Sequence, residues 1–345
     1  MNLKQLSEKL GLSPTTVSRA LNGYPEVSEA TRMRILAAAK EHNYSPSAQA
    51  KSLATGRAMT IGHVIPTSGA TEMVNPIFGD FIAGAGETYA AAGYDMMLST
   101  VHRDNELYAY RDLAARRAVD GMIVHAPRLN DPRVDLLREL ELPFVFHGRA
   151  PIDDKSYSWL DINNTRAFER ATKLLCDLGH RNIALINGDE TMDFALRRRR
   201  GFMTAMEAAG CKVRAEWLAK GEMTESFGFH TATRMLGLPT PPTAFLVSSI
   251  IMAIGVRRAI AAKGLRMGRD VSVVTHDDEI SYLKNGDTEP VFTATRSSVR
   301  DAGRRAAELL LAQISNPSAD TVQELWECDL TLGASTGPAT VLART

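Results

Sequence analysis

The densest group of side chains able to do acid–base chemistry is His276-Asp277-Asp278. A histidine beside carboxylates can move protons, but these residues directly follow the strand predicted at Val271–Thr275. At the end of a buried strand they equally suit hydrogen bonding to sugar hydroxyls. The sequence contains no H-E-x-x-H motif, no phosphate-binding loop and no G-x-G-x-x-G motif. The eight histidines lack metal-ligand spacing, so neither an enzyme, a metal site nor a cofactor is predicted.

Four consecutive arginines occupy Arg197–Arg200. Adjacent residues on a helix point in different directions around its axis, so this run cannot form one flat basic face. We expect solvated charges with one or two ion pairs.

The composition is that of an ordinary globular protein. Its 345 residues are 44% hydrophobic and 23% charged, which excludes wholesale disorder and suggests two or three compact units. No apolar run approaches the length of a membrane-spanning helix, and the charged start excludes a secretory signal peptide. The three cysteines lie far apart, so disulfides are not expected and a reducing cytoplasm is the expected location.

Charge is unevenly distributed although the net charge is zero. Residues 1–60 contain eight lysines and arginines against four glutamates, so their net charge is positive. The rest of the chain carries a net negative charge of the same size. A basic N-terminal segment on an acidic body favours nucleic acid as its partner.

Three short helices are predicted in this N-terminal segment. Leucines at helical spacing define the first helix, which Gly11 ends. The second starts at Pro14 behind the N-cap residue Ser13, and the third runs from the N-cap residue Ser28 to about His42. Leu3, Leu6 and Leu10 fall on one face of the first helix. The expected buried residues of the other two helices are Val17, Ala20 or Leu21, Ile35, Leu36 and Ala39. Two helices on a glycine turn, backed by a third, predict a helix-turn-helix unit whose second helix enters the major groove.

The residue types on the second helix suit DNA. Arg19 can donate two hydrogen bonds to guanine, and threonine methyl groups can pack against thymine. Hydroxyls and backbone N–H groups at the capped helix starts, at Ser13, Thr16 and Ser28, suit phosphates. A three-helix protein-interaction module with a polar outer face is the alternative.

A short helix is also predicted at Ser47–Thr55, between Ser45-Pro46 and Gly56. It is too short to be stable alone. Its exposed Leu53 suits a wedge between base steps in the minor groove. A plain linker helix whose Leu53 packs on the next domain is the alternative.

These elements resemble the N-terminal region of the LacI/GalR family of bacterial transcription regulators. The matching motifs are T-V-S-R-x-L-N at 16–22, V-S-x-x-T-R at 27–32, N-Y-x-P at 43–46 and A-x-x-L-x-T-G at 50–56. The resemblance implies that Pro14, Thr15 and Arg19 read bases, while Ala50 and Leu53 enter the minor groove. The residue after N-Y-x-P departs from the family's frequent asparagine, being serine. The expected DNA-binding residues are Ser13, Pro14, Thr15, Thr16, Ser18, Arg19, Asn22, Val27, Ser28, Ala50 and Leu53.

Beyond Thr60, short apolar runs alternate with amphipathic helical stretches. This alternation predicts parallel sheets covered by helices on both faces, with ligands at the C-terminal ends of the strands. The apolar runs that predict strands are Ile61–Ile65, Met96–Leu98, Met122–Val124, Phe144–Phe146, Ile183–Ile186, Ala244–Val247 and Val271–Val274. The predicted helices are Phe78–Ala92, Phe168–Leu178, Phe202–Ala209 and Val256–Lys263. The number of strands fits two similar α/β lobes.

The resemblance implies a two-lobed, periplasmic-binding-protein-like effector domain in which the chain crosses between lobes near Ser158, Pro290 and Thr321. We therefore expect an all-α helix-turn-helix domain at 1–45, a hinge helix at 46–57 and an α/β effector-binding and dimerisation domain at 58–345. Lobe one would comprise about 58–158 and 291–321, and lobe two about 159–290 and 322–345.

The same resemblance implies six effector-binding residues. Arg198 precedes the glycine of R-x-x-G-F, and its guanidinium fork is expected to bond the ligand. The other five are Asn75, His147, Asp161, Ser249 and Asp277. Ser249-Ile250 replaces an N-D pair frequent in relatives, so the ligand of the best-known members does not transfer. H-G-R at 147–149, S-S-x-x-M-A-I-G at 248–255 and V-V-T-H-D-D at 273–278 resemble regulators of α-glucoside uptake operons.

The predicted function is a sequence-specific DNA-binding repressor of sugar-utilisation genes, controlled by a small carbohydrate effector. A homodimer is expected, because one head contacts too few base pairs and two heads fit a pseudo-palindromic operator. The resemblance implies that the first lobe, including the Phe78–Ala92 helix, forms the partner surface. The alternatives are a cytoplasmic sugar-binding protein without operator binding and a sugar-processing enzyme.

Overall fold

The computed structural model describes residues 1–21, 23–44, 56–67, 75–150 and 156–339. They form a helical head followed by two six-stranded sheets. Asn22 and most of the predicted hinge helix, with Ala50 and Leu53, lie outside the described residues. Within these ranges, no helix has the length and the hydropathy that a bilayer-spanning helix requires.

The head contains the three predicted helices, α1 (Leu3–Leu10), α2 (Pro14–Leu21) and α3 (Glu29–Glu41). Their core consists of Leu6, Val17, Ala20, Val27, Ile35 and Ala39. The expectation that Leu36 is buried is wrong, since it is 43% exposed. Ile35 faces the core, and the next residue on a helix points about 100° away from it.

The first sheet has the strand order β11-β5-β4-β3-β1-β2, and all its strands are parallel. Its strands are β1 (Thr60–Thr67), β2 (Asp95–His102), β3 (Gly121–His125), β4 (Phe144–His147), β5 (Ser158–Ile162) and β11 (Gln323–Trp326). Its helices are α4 (Pro76–Ala91), α5 (Glu106–Ala115), α6 (Arg133–Glu139) and α11 (Val299–Ser315). Successive residues of β3 enter different cores: Ile123 packs with α4 and α11, and Val124 packs with α5 and α6. Burial on both faces explains why these strands read as continuous apolar runs.

The second sheet has the order β12-β10-β9-β8-β6-β7, and only β12 is antiparallel to its neighbour. Its strands are β6 (Ile183–Asn187), β7 (Leu218–Lys220), β8 (Ala244–Val247), β9 (Ser272–Asp277), β10 (Thr293–Arg296) and β12 (Asp329–Thr331). Its helices are α7 (Asn164–Asp177), α8 (Asp193–Ala208), α9 (Glu225–Leu236) and α10 (Ile250–Ala262). One core forms beneath α9 and α10 and another beneath α7 and α8.

The chain passes between the two sheets three times, each time a few residues later than expected. It crosses after Ile162, between Arg296 and Val299, and between Trp326 and Asp329. Ser158, Pro290 and Thr321 precede these crossings, so the lobe boundaries expected there do not coincide with the change of sheet. The reason is that strand pairing decides which lobe a segment joins: β5 pairs with β4, and β11 pairs with β5.

Helices α4 and α11 pack closely against each other on one face of the first sheet. A Cβ atom at Gly84 of α4 would lie 2.0 Å from the carbonyl oxygen of Arg300, and one at Gly303 of α11 would lie 2.1 Å from that of Phe81. Glycine at these positions therefore allows the two backbones to touch.

Candidate functional site

The carboxyl ends of strands from both sheets face one cleft between the lobes, which encloses a cavity of about 240 Å³. The aromatic residues of its lining are Phe78, Phe81, Phe194 and Trp326. Charged and polar side chains from both lobes stand among these rings. A lining of aromatic surface with a few polar groups is typical of a small-molecule site.

Arg198 on α8 is the most constrained polar residue of the cleft. Its Nε donates to the Asn164 side chain at 2.7 Å, and its Nη1 donates to the Ser248 carbonyl at 2.5 Å. Its guanidinium lies 5.1 and 5.0 Å from the ring centres of Phe168 and Phe194. Among the described residues its Nη2 has no hydrogen-bond partner, so one edge of the fork is available to a ligand.

The three neighbouring arginines do not line the cavity. Arg197 pairs with Asp193, and Arg199 donates to Glu190 at 2.7 Å. Arg200 is exposed. This is the divergent arrangement predicted for the four-arginine run, with only Arg198 turned into the cleft.

Asp278 brings a carboxylate to the same cavity. Its Oδ1 lies 3.4 Å from Nε2 of His276, whose Nδ1 is 3.0 Å from the Thr295 hydroxyl. Burial by itself would raise the pKa of Asp278, but His276, Arg198 and His147 reverse this and lower it. Burial lowers the pKa of Arg198, which Asp278 opposes. Arg198 and Asp278 therefore bring opposite charges to the cavity that both side chains line.

Asp161, at the end of β5, provides a second carboxylate. It accepts a hydrogen bond from Nε of Arg149 at 3.0 Å and one from the backbone N–H of Ile162 at 2.9 Å. Burial raises the pKa of Asp161 to about 6, although Arg149 and Arg197 lower it. A carboxyl group with this pKa changes charge near neutral pH.

Two further predicted residues also line the cleft. Asn75 caps α4 by accepting a hydrogen bond from the Ile77 N–H at 3.1 Å. His147 ends β4, stacks on Phe81 at 4.3 Å, and has its pKa lowered by burial to about 4. A neutral imidazole can offer one donor and one acceptor to a ligand.

The remaining two predicted residues do not line this cavity. Ser249 is fully buried and caps α10 by accepting a hydrogen bond from Ile251 N–H at 3.2 Å. Asp277 accepts a hydrogen bond from Glu279 N–H at 2.9 Å and lies 3.6 Å from Nε of Arg296. The cleft instead receives Asp278, because successive side chains at a strand end point to opposite sides.

The wall of the cleft rests on a buried ion-pair network. Arg133 is 1% exposed and donates to Glu106 and to Asp131, each at 2.8 Å. The same guanidinium donates to the carbonyl oxygens of His125 at 3.0 Å and Ala126 at 3.2 Å. Two carboxylates compensate the buried cation, which in turn fixes backbone that lines the cavity.

Hydrogen bonds also join the lobes around the cleft. Asp80 on α4 accepts from the N–H and the hydroxyl of Ser281, which follows β9, at 2.5 and 2.8 Å. The N–H of Asp193 donates to the Pro127 carbonyl at 3.1 Å. These contacts hold the two lobes close together.

One nucleophile-type pattern, G-x-S-x-G, occurs at Gly333–Gly337. Its Ser335 is fully buried, donates to the Val273 carbonyl at 2.5 Å and accepts from Thr293 N–H at 2.8 Å. The serine ties β9 to β10 and is closed to a substrate, so the pattern is structural.

The helix starts of the head are capped as the sequence predicts. Ser13 accepts a hydrogen bond from Thr16 N–H at 3.1 Å, and Ser28 accepts one from Thr31 N–H at 3.3 Å. Ordered helix starts direct further backbone N–H groups outward, where a phosphate can accept from them.

The predicted DNA-binding residues of α2 share its exposed side. Pro14, Thr15 and Arg19 are exposed. The half-buried ones are Thr16 and Ser18. Val27 instead packs in the core of the head at 8% exposure. Its side chain is therefore turned away from this surface.

Two segments of the chain match known families. Residues 2–47 match the family described as bacterial regulatory proteins, lacI family. Residues 172–336 match the periplasmic binding protein-like domain. The first segment is the head, and the second covers most of the second lobe.

Similarity to individual proteins extends over nearly the whole chain. HTH-type transcriptional regulator AglR of Rhizobium meliloti (strain 1021) is 43% identical over 98% of this chain and 95% of its own. HTH-type transcriptional regulator RafR of Escherichia coli is 30% identical over 94% and 96%. The solved transcriptional regulator CelR–cellobiose complex is 27% identical, with a TM-score of 0.71 over 97% and 99%. The lac repressor dimer bound to operator and the anti-inducer ONPF is 25% identical, with a TM-score of 0.83 over 98% and 99%.

Proposed function

The chain belongs to the lacI family of bacterial regulatory proteins and is a DNA-binding transcriptional regulator, and we propose that a carbohydrate held between its lobes sets its affinity for operator DNA. The proposal rests on one observation: the cleft combines a guanidinium edge and two carboxylates with aromatic rings. The hydroxyl groups of a sugar can accept hydrogen bonds from the guanidinium and donate them to the carboxylates. The C–H faces of its pyranose ring can pack on the aromatic rings. The protein would then be a repressor of sugar-utilisation genes.

The ligand contacts of this proposal are specific. Arg198 donates through Nη2, Asp161 and Asp278 accept from hydroxyls, and Asn75 and His147 contribute polar edges. Asp278 takes the place first expected for Asp277, and Ser249 acts through the helix that it caps. We propose an α-glucoside as the effector, on the strength of the H-G-R, S-S-x-x-M-A-I-G and V-V-T-H-D-D motifs. The cellobiose in the CelR complex supports a glucose disaccharide as the class of ligand.

Operator recognition would need two copies of the head. In the proposed complex, Arg19 and the exposed residues around it on α2 enter the major groove of each half-site. The lac repressor dimer on its operator supports this arrangement. The hinge residues Ala50 and Leu53 would contact the minor groove between the half-sites.

Ligand binding and DNA binding would be coupled through the lobes. We propose that closure of the cleft around the sugar rotates the lobes and changes the spacing of the two hinge helices. The hinge helices would then fold on DNA in one state and unfold in the other. Circular dichroism that shows equal hinge helicity with and without operator would contradict this coupling.

A cytoplasmic sugar-binding protein without operator binding is the second candidate. The exposed Arg19 and the capped helix starts weigh against it, because they suit DNA contacts and do not line the cleft. A sugar-processing enzyme is the third. The similar proteins are transcriptional regulators, and the carboxylates of the cleft are paired with arginine or histidine. A regulator of chromosomal genes would work in the cytoplasm.

Fluorescence anisotropy on DNA from the protein's own promoter region, with excess competitor DNA and with α-glucosides added, tests the proposal. We expect tight binding that maltose or another α-glucoside changes. Arg19→Ala should weaken specific binding about tenfold or more, since a bidentate guanine contact is worth about 1–3 kcal/mol. Sugar affinity should be unchanged. Lys9→Ala removes the same charge from α1 and should weaken all DNA binding slightly. Sugar binding without any specific DNA binding, on promoter or genome-wide selected DNA, would favour the second candidate.

A further inference from the structure

Three hydrogen-bonded side chains run from helix α4 to the cleft. The Tyr89 hydroxyl lies 3.2 Å from Nε2 of His63, and Nδ1 of His63 lies 3.0 Å from Nε2 of His125. Tyr89 and His63 are buried and do not line the cavity, whereas His125 does. Among the described residues, Nδ1 of His125 has no hydrogen-bond partner, so that atom is available to a ligand.

Both imidazoles in this row are neutral. Burial lowers the pKa of His63 to about 3. Burial, His63, His147 and Arg133 lower the pKa of His125 well below its ordinary value. Burial also raises the pKa of Tyr89, so its hydroxyl keeps its proton. Each ring therefore carries one N–H and one lone pair, and the hydroxyl carries one hydrogen.

Only two arrangements of these hydrogens make both hydrogen bonds. In the first, Tyr89 donates to His63, His63 donates to His125, and His125 carries its hydrogen on Nδ1. In the second, every donor is reversed, and Nδ1 of His125 presents a lone pair. The Tyr89 hydrogen then needs another acceptor, and the described residues offer none. A buried hydroxyl without an acceptor disfavours the second arrangement about tenfold or more.

We propose that Tyr89 and His63 act as positioning residues that fix His125 as a hydrogen-bond donor toward the cleft. His125 then selects ligands that place an acceptor oxygen, such as a ring, glycosidic or hydroxyl oxygen, against its Nδ1–H. The identity of that ligand as a sugar rests on the proposed function, but the tautomer of His125 does not. The selectivity of the cleft is thus set partly by a tyrosine that never touches the ligand.

Nuclear magnetic resonance of the full chain labelled with ¹⁵N-histidine tests this without any ligand. His125→Gln identifies the His125 ring signals by their loss. We expect the Nδ1–H tautomer in the native protein, at about ten to one or higher. Tyr89→Phe should bring the ratio toward equality, since both tautomers of His63 then leave Nε2 unpaired. Tyr110→Phe is the matched control, because Tyr110 is equally buried and its hydroxyl makes no hydrogen bond to His63 or His125. It should leave the ratio unchanged.

Titration with maltose extends the test to the ligand. His125→Asn retains an N–H donor and should bind within about threefold of the native protein, while His125→Asp offers acceptors only and should bind at least about tenfold more weakly. A native His125 with its hydrogen on Nε2, or a ratio that Tyr89→Phe does not move, overturns the inference. If maltose fails to bind the native protein, the α-glucoside proposal fails, and the tautomer ratio still decides the role of Tyr89 and His63.

Discussion

We expect the ionisation of Asp161 to lower the stability of the protein as the pH rises, and we expect Asp161→Asn to abolish this pH dependence. Its pKa is about 6 in the folded protein, against 3.8 for an ordinary aspartate. Between these values the folded chain holds a proton that the unfolded chain has lost, so the free energy of unfolding falls with rising pH. The full loss, reached above pH 6, is about 3 kcal/mol. The Asp161→Asn variant has no ionisable group at this position and should not show this loss of stability.

The measurable quantity is the difference in unfolding free energy between Asp161→Asn and the native protein. From the two pKa values this difference should grow by about 1 kcal/mol between pH 5 and pH 7.5, in favour of the variant. Replacing the protonated carboxyl group beside Arg149 by an amide adds an offset. That offset does not depend on the titration of Asp161, so the slope with pH is the diagnostic result.

Urea unfolding followed by tryptophan fluorescence gives this slope, because all three tryptophans lie in the lobes. Asp135→Asn is the matched control, since it removes a carboxylate whose side chain is 88% exposed. The control should show no trend with pH. A difference that is flat or decreases between pH 5 and pH 7.5 would refute the argument that burial dominates the surroundings of Asp161.

Two further outcomes follow from the cleft and from the helix packing. Arg198→Lys keeps the charge but loses the planar fork, so we expect the affinity for maltose to fall about tenfold or more in isothermal titration calorimetry, with operator binding retained. Equal affinity would remove Arg198 from the ligand contacts. Gly84→Ala should lower the free energy of unfolding by about 1–3 kcal/mol, because its Cβ would meet the Arg300 carbonyl at 2.0 Å. In the same helix, Gly79→Ala has open space and should raise stability by up to about 1 kcal/mol in the same urea experiment.

The amino-acid sequence by itself determined the local elements and the family. Caps at Ser13 and Ser28 and the apolar spacing of the head placed three helices, because hydrogen bonds and burial within a few residues decide such short elements. Continuous apolar runs placed the central strands, because a strand covered on both faces of a sheet is apolar at successive positions. The R-x-x-G-F motif selected Arg198 from four adjacent arginines, and the structure turns that residue into the cleft.

Elements whose stability depends on distant partners were not visible in the sequence. Strands β5, β10 and β11 are short, and only pairing with neighbours far along the chain makes them strands. That pairing also decides where the chain changes lobe. Helix α11 packs on the first sheet, and the strand residues that it contacts come more than a hundred positions earlier in the chain.

The details of the cleft depended on tertiary structure in the same way. Asp278, rather than Asp277, reaches the cavity because of the direction in which β9 ends. Val27 fits the family motif but fills the core of the head. The row from Tyr89 through His63 to His125 joins α4, β1 and β3, whose contact arises only when the sheet forms. Sequence spacing fixes what a segment can become, whereas the orientation of a side chain at a shared site is fixed by the packing of segments that are distant in the chain.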